Sequence, residues 1–343
     1  MRRWPFDQES LDLSNKKMSA MATMTKKIDP FLKTNNDTGF GTNASNYGGR
    51  FINRDGTFNL RREGVTLLDR YSVYHNMLTL PRWKFFGMIF LFYIIINLIF
   101  TTIYLMIGIN QLTGVIATSP WGKLKEAFFF STETFTTVGY GRVNPVGDGA
   151  NIVAAIESVS GFLSFALATG LLYGRFSRPH SFLVFSDFAL ISPYKDGTAL
   201  VFRFAPYKDH HTLTDVQIRV NVGLVVEQNG KREYRYYDLG LERSKVESLP
   251  MNWNVVHPID DKSPFLGFTP EDYQAADVEL YVLIRGFDDI YSNFVQQRTS
   301  YTYKEIRFNG KFVQMYRESQ DGNTTILELQ KLNEYEEVRQ SLP

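Results

Sequence analysis

Five consecutive residues near the middle of the chain, Thr137-Val138-Gly139-Tyr140-Gly141, have the types and order needed to strip and hold a cation. The carbonyl oxygens of Thr137, Val138, Gly139 and Tyr140, with the Thr137 hydroxyl, can replace the hydration shell of K⁺. Glycines permit the unusual dihedrals that aim successive carbonyls at one axis. Val138 and Tyr140 then point away from that axis and brace it. Just ahead lies Thr132-Glu133-Thr134-Phe135-Thr136. The segment from Lys123 to about Phe135 reads as a short helix whose negative C-terminal end aims at the cation path. A five-residue pattern carries weight only in the right setting, so the elements around it decide.

Phe85 to Ile107 is an uninterrupted uncharged run, and Asn97 is its one strongly polar side chain. As a helix it reaches roughly 35 Å, enough to cross a bilayer with some tilt. It is too long and too far from the N-terminus for a cleaved signal peptide. Ile152 to Tyr173 is a second span, with one charge, Glu157, and small residues at Gly161, Ser164, Ala166, Ala168 and Gly170. Small residues favour close helix packing in membranes. A lone Glu costs about 3 kcal/mol unless it faces protein or water, so this span should face a bundle interior. The stretch between the spans is broken by Pro120, Gly139, Gly141, Pro145 and Gly147. It fits a re-entrant element lining a water-filled path. Residues 1–84 hold 14 Lys+Arg, and Arg175 and Arg178 follow the second span, whereas the loop carries only Lys123, Lys125 and Arg142. Both termini are therefore expected in the cytoplasm. Two spans cannot enclose a pore alone, so a homotetramer is implied, four loops forming one ring.

The averages conceal this layout. The 343 residues suggest about two domains, and 37 Lys+Arg against 36 Asp+Glu give no reason to expect nucleic-acid binding. No cysteine is present, which excludes a disulfide framework, Cys-ligated metals and thiol chemistry. Regionally, residues 1–84 carry +6, while residues 175–343 carry −4. From Phe182 onward the pattern is β. Turn signals at Asp196-Gly197, Asn229-Gly230, Asn309-Gly310 and Asp321-Gly322 separate strand-like runs, as in a β-sandwich. A nucleotide-binding regulatory fold would alternate strands with helices around a Gly-rich loop, and neither is visible. No nucleophile motif appears. His210-His211 reads as a solvated turn, and His257 as a brace for its loop. Leu67–Leu78 suits an interfacial helix. Residues 1–48 read as mostly disordered.

Placed on this frame, the sequence resembles the prokaryotic inward-rectifier potassium channels (KirBac-like). Residues 131–141 look like the pore block and residues 168–179 like the inner-helix end and linker. Val256 to Pro264, Arg298-Thr299-Ser300-Tyr301 with Glu305-Ile306, and residues 49–56 also match. Lack of cysteine departs from the eukaryotic members, which carry an extracellular disulfide.

The resemblance implies a two-helix pore plus a cytoplasmic immunoglobulin-like β-sandwich. The expected layout is a cytoplasmic N-terminus (1–48), a strand and slide helix (49–84), the first span (85–107), the extracellular loop, pore helix and filter (108–151), and the inner helix (152–174). The gating domain (175–327) and a tail (328–343) complete it. It further implies K⁺ ions in the filter as the only bound species, and support of the filter by a Glu133–Arg142 pair. Tyr173 stands at the bundle-crossing gate. Phe165 and Thr169 line the same path, with Gly161 and Glu157 above them on the inner helix, Glu157 either behind the filter or at the cavity. Arg175 and Arg178 match part of an anionic-lipid site, including phosphoinositide. Asp215 and Arg285 belong to the cytoplasmic pore. Phe165 replaces the acid of strong rectifiers, so rectification should be weak; Mg²⁺, Ba²⁺ and polyamines are the candidate blockers. The expected location is the cell inner (plasma) membrane. The competing readings are a membrane-anchored β-sandwich receptor or scaffold with a non-conducting loop, and a non-selective cation pore.

Overall fold

The computed structural model describes residues 25, 27–29, 31–35, 50–64, 66, 72–228 and 231–338. They divide into two compact units: residues 62–178, and residues up to 61 together with those from 179 onward.

In the first unit, Ser72 caps helix α1 (Val73–Thr79), accepting from the His75 amide. Leu67–Tyr71 of the expected interfacial helix lie outside the described residues. Pro81 precedes α2 (Arg82–Ile107), and Gly108, at φ 117°, ends it. A two-residue strand, β1 (Leu112–Thr113), leads to α3 (Pro120–Phe135). Ser119 caps α3 and Pro120 occupies its first turn, where a missing N–H costs nothing. After the filter residues, β2 (Asn144–Pro145) pairs antiparallel with β1 and closes the loop. Helix α4 (Asp148–Phe176) follows. Both α2 and α4 are long and apolar enough to cross a membrane. Phe100 and Tyr104 of α2, Phe130 and Phe135 of α3 and Ala150 of α4 form the apolar centre where the three helices meet. Elsewhere α2 and α4 expose large apolar side chains such as Phe90, Leu91, Phe162 and Leu167, as lipid- or subunit-facing helices must.

The second unit is a β-sandwich. One sheet orders β11 (Asn293–Thr302), β10 (Glu279–Asp288), β6 (Leu213–Gln228) and β7 (Lys231–Asp238), with β8 (Lys245–Leu249) also on β6. The other orders β12 (Ile306–Phe308), β4 (Ala189–Tyr194), β5 (Gly197–Pro206) and β3 (Leu183–Phe185), with β9 (Trp253–Pro258) on β5. Period-two alternation fills the core: Val216, Ile218, Val220 and Val222 of β6 share it with Leu200, Phe202 and Phe204 of β5 and Leu280, Val282 and Ile284 of β10. A short helix, α5 (Pro270–Ala275), starts at the Thr269/Asp272 capping box.

Several expectations change here. Residues 329–338 of the expected tail are ordered against the sandwich, and 339–343 lie outside the described residues. A 3₁₀ turn at Leu329–Asn333 leads to β16 (Tyr335–Glu337), which pairs with β13 (Gly310–Phe312), while β14 (Tyr316–Glu318) and β15 (Thr325–Leu327) form a hairpin across Asp321-Gly322. The reason lies in β5, which is buried on both faces. Its outward Arg203 is fully buried and donates to the carbonyls of Leu332, Val313, Lys331 and Glu334. Asn309-Gly310 is consequently no hairpin, since β12 runs parallel to β4 and β13 joins β16.

Within the expected disordered N-terminus, residues 27–29 and 31–35 are docked. Ile28 is buried, Lys27 Nζ lies 2.5 Å from Asp272 Oδ2, and Thr34 bridges Tyr237. Asn229-Gly230 lies outside the described residues. His211 is no solvated turn residue. Its Nδ1 is 3.0 Å from the fully buried Asp288 carboxyl, and its ring packs on Phe182. Within the same unit, Arg50 forms a 2.5 Å ion pair with Glu305 and donates to Ser300 O, so the Arg298–Tyr301 motif anchors the chain around Ile52.

Candidate functional site

Helix α3 delivers the chain to the Thr137–Gly141 segment and its last turn holds it there. Thr137 N–H donates to Thr134 O at 3.0 Å, and Val138 N–H donates to Glu133 O at 2.9 Å. The carbonyls at the helix C-terminus are thereby partly occupied by the filter's own amides. Thr137, Gly139 and Gly141 have positive φ values of 59°, 54° and 82°. Alternate left-handed residues turn every peptide plane in a consistent sense, which lines successive carbonyls along one side of the strand. Only a glycine sits there without steric cost; Thr137, with its Cβ, is held by its contact to Thr134. Val138 and Tyr140 are exposed in a single chain, as expected of a strand that neighbouring subunits must complete. Asn144 closes the upper end, its Nδ2 donating to Gly141 O at 2.5 Å. Sequence reasoning missed Asn144, because only the β1–β2 pairing folds it back onto the filter.

The supporting ion pair differs from the expected one. Arg142 Nη1 lies 3.5 Å from Glu126 Oε2 and donates to Gly114 O. Glu126 also accepts from the Ile116 amide. Glu133 has no side-chain ion pair among the described residues. The two acids sit seven residues apart on α3, about two turns, so they share a helix face. Arg142 follows Gly141 directly, and the β1–β2 closure carries it back toward the N-terminal half of α3 rather than its end.

Glu157 faces the pore helix rather than the open side of α4. It is fully buried between all three helices. Tyr104 Oη donates to its Oε2 at 2.7 Å and Ser131 Oγ to its Oε1 at 2.5 Å. Gly161 shares this position: a Cβ there would stand 1.9 Å from Phe135 O, so it is a packing glycine. Helix geometry explains the division. Glu157, Gly161, Phe165, Thr169 and Tyr173 recur every four residues, and such a line rotates about 160° over its length. Its upper end faces α3; its lower end, Phe165, Thr169 and Tyr173, is exposed in the single chain.

At the foot of α4, the Arg175 guanidinium lies 5.1 Å from the Phe85 ring centroid, and its Nη1 is buried without a hydrogen-bond partner. Arg178 is exposed. Helix α1 reaches the same end, since a Cβ at Gly174 would meet the Tyr74 hydroxyl at 2.9 Å.

In the β unit, Asp215 on β6 is not a free acid. It pairs with Lys245 of β8, whose hydrogen bond holds its carboxyl below the ordinary carboxylate range. Arg285 on the adjacent β10 stacks 4.3 Å from the Phe294 ring centroid. His257 does brace its loop, at 2.6 Å from Gly240 O and 2.8 Å from Ser263 Oγ.

Comparison with known proteins follows the same division of the chain. Residues 183–342 match the family described as "Inward rectifier potassium channel C-terminal domain", and residues 88–178 the one described as "Ion channel". The inward rectifier potassium channel Kirbac3.1 of Paramagnetospirillum magnetotacticum is 34% identical over 289 residues, which cover 83% of this chain and 95% of that protein. Inward rectifier potassium channel 4 of Homo sapiens is 29% identical over 201 residues, 54% of this chain and 44% of that protein. G protein-activated inward rectifier potassium channel 2 of Mus musculus is 26% identical over 290 residues, 77% of this chain and 66% of that protein. With a filter-bearing loop between two spans and a β-sandwich after them in the sequence, the chain belongs to the inward-rectifier potassium channel family.

Proposed function

We propose that four copies of the chain form a K⁺-selective pore in which the carbonyls of Thr137, Val138, Gly139 and Tyr140 are the ion ligands. The observation that carries this reading is the alternation of left-handed residues at Thr137, Gly139 and Gly141, directly beyond a pore helix. A scaffold with an inert loop has no use for those dihedrals. Permeating K⁺ exchanges its water shell for carbonyl oxygens, and the four C-terminal ends of α3 add a favourable field.

The gate in this reading is the ring of four Tyr173 side chains. Motion of the β-sandwich relative to the spans opens it, and steric block with dewetting closes it. Phe165 and Thr169 line the path above. The missing acid at Phe165 leaves Mg²⁺ and polyamines without an electrostatic anchor, and the Lys245 partner of Asp215 weakens the substitute below, so rectification is weak. Arg175, with its unpartnered Nη1, and Arg178 receive anionic headgroups, phosphoinositide among them. Both termini face the cytoplasm across the plasma membrane.

The test is ⁸⁶Rb⁺ uptake into liposomes with and without anionic lipid. Uptake that Ba²⁺ blocks and that changes with lipid charge is expected. No uptake under either condition contradicts the proposal.

A further inference from the structure

The contacts of Glu157 do more than dispose of a buried acid. Its two oxygens accept hydrogen bonds from hydroxyls on two different helices: Ser131 of the pore helix, whose Oγ is 2.5 Å from Glu157 and a longer 3.1 Å from Asn97 Oδ1, and Tyr104 of the first span. Ser131, Glu157 and Tyr104 are each no more than 1% exposed. One turn further along both helices, Gly161 lets α4 approach Phe135 O, the last carbonyl of α3. Ser131 and Phe135 stand four apart on α3, and Glu157 and Gly161 four apart on α4, so the helices meet at two successive turns in register. The second contact lies two residues before Thr137. Below it, Phe165, Thr169 and Tyr173 leave the seam.

We infer that Glu157 is a positioning residue for ion selection: through Ser131 it fixes the height and rotation of the pore helix against the inner helix, and thereby the spacing of the Thr137 carbonyl and hydroxyl at the base of the filter. A selectivity filter discriminates by the placement of its oxygens, so a pore helix that is free to slide or turn lowers K⁺/Na⁺ discrimination before it stops conduction. The bond to Tyr104 plays a different part. It ties Glu157 to a span that does not carry the filter, so its loss leaves α3 and α4 in register. The inference rests on the reading of the chain as a K⁺ pore.

The experiment measures bi-ionic K⁺/Na⁺ reversal potentials of the reconstituted full-length tetramer, with tetramer content checked by size-exclusion chromatography. Wild-type K⁺ current in the same preparation tests the pore reading; the variants test the inference. Ser131→Ala should lower the permeability ratio at least threefold while tetramers persist. Ser131→Cys, close in volume and a weaker donor, should fall between. Glu157→Gln retains a group that both hydroxyls can meet, and Tyr104→Phe spares the α3 bond; both should stay within twofold of wild type. A wild-type ratio in Ser131→Ala overturns the inference. So does failure of both Ser131 variants to assemble while Glu157→Gln assembles, because the node then serves assembly alone.

Discussion

At the scale of single residues, the site depends on backbone positions as much as on side chains. Gly161 is the sharpest case. Any Cβ there collides with a pore-helix carbonyl, which is backbone and cannot step aside. Gly161→Ala should lower tetramer stability by about 1–3 kcal/mol per chain, as overpacking does, read as a fall in thermal midpoint of the detergent-solubilised channel. An unchanged midpoint would show that α4 does not press on α3. His257 yields a pH prediction. Burial disfavours its charged form and lowers its pKa from the ordinary 6.5, with the Gly240 carbonyl pulling partly the other way. Above about pH 6.5 the imidazole is neutral in both folded and unfolded chains and stability is full. As pH falls below that, the unfolded chain gains a proton the folded one refuses, and stability declines until the folded pKa is passed. Urea unfolding of the β-sandwich within the full chain, followed at pH 7.5 and 5.5, should show this loss, and His257→Gln should reduce it. An equal loss in the variant would place the titration elsewhere. Residue types made much of this site readable, since Thr137–Gly141 announces its chemistry in five letters. Glu126 was not readable as the partner of Arg142, because the resemblance pointed to Glu133 and only the strand pairing of Leu112–Thr113 with Asn144–Pro145 turns Arg142 the other way.

At the scale of elements, the two spans and the β pattern were legible because each is a periodicity: an apolar run longer than a bilayer, or alternation over several residues. The C-terminal segment was not. From Glu328 its charge density rises and no periodicity marks it, yet a fully buried arginine on β5 holds it in place. Arg203 makes four bonds to carbonyls and stacks 4.3 Å from the Phe312 ring centroid; burial pushes its pKa down to about 10, so it stays charged at neutral pH. A charged donor serving several buried carbonyls contributes several kcal/mol, of which Arg203→Met should remove about 3 kcal/mol or more. The expected result is fast proteolysis within residues 313–338 of the variant while the sandwich core stays resistant. Equal protection of that segment would mean that β13–β16 pairing alone secures it. The docked residues 27–29 and 31–35 were missed for a similar reason. Their hold is scattered: Ile28 and Leu32 pack on the core, Lys27 pairs with Asp272, and Asn35 bonds Tyr236 O and Asn221, with no periodicity to leave a pattern.

At the scale of the whole molecule, near-neutral net charge is the sum of a basic N-terminal region and an acidic β domain. The inner helix connects the ends of the device: packed against the pore helix at Glu157 and Gly161, it turns Tyr173 away from that seam. Tyr173→Ala should therefore raise ⁸⁶Rb⁺ flux under conditions that keep the wild type closed, and unchanged flux would move the gate to another position. Everything rests on selection by the Thr137–Tyr140 carbonyls. The direct measurement is the reversal potential of the reconstituted tetramer with K⁺ on one side and Na⁺ on the other. A potential close to the K⁺ equilibrium value, collapsing toward zero in Gly139→Ala, is the expected result. A wild-type potential near zero would contradict the account.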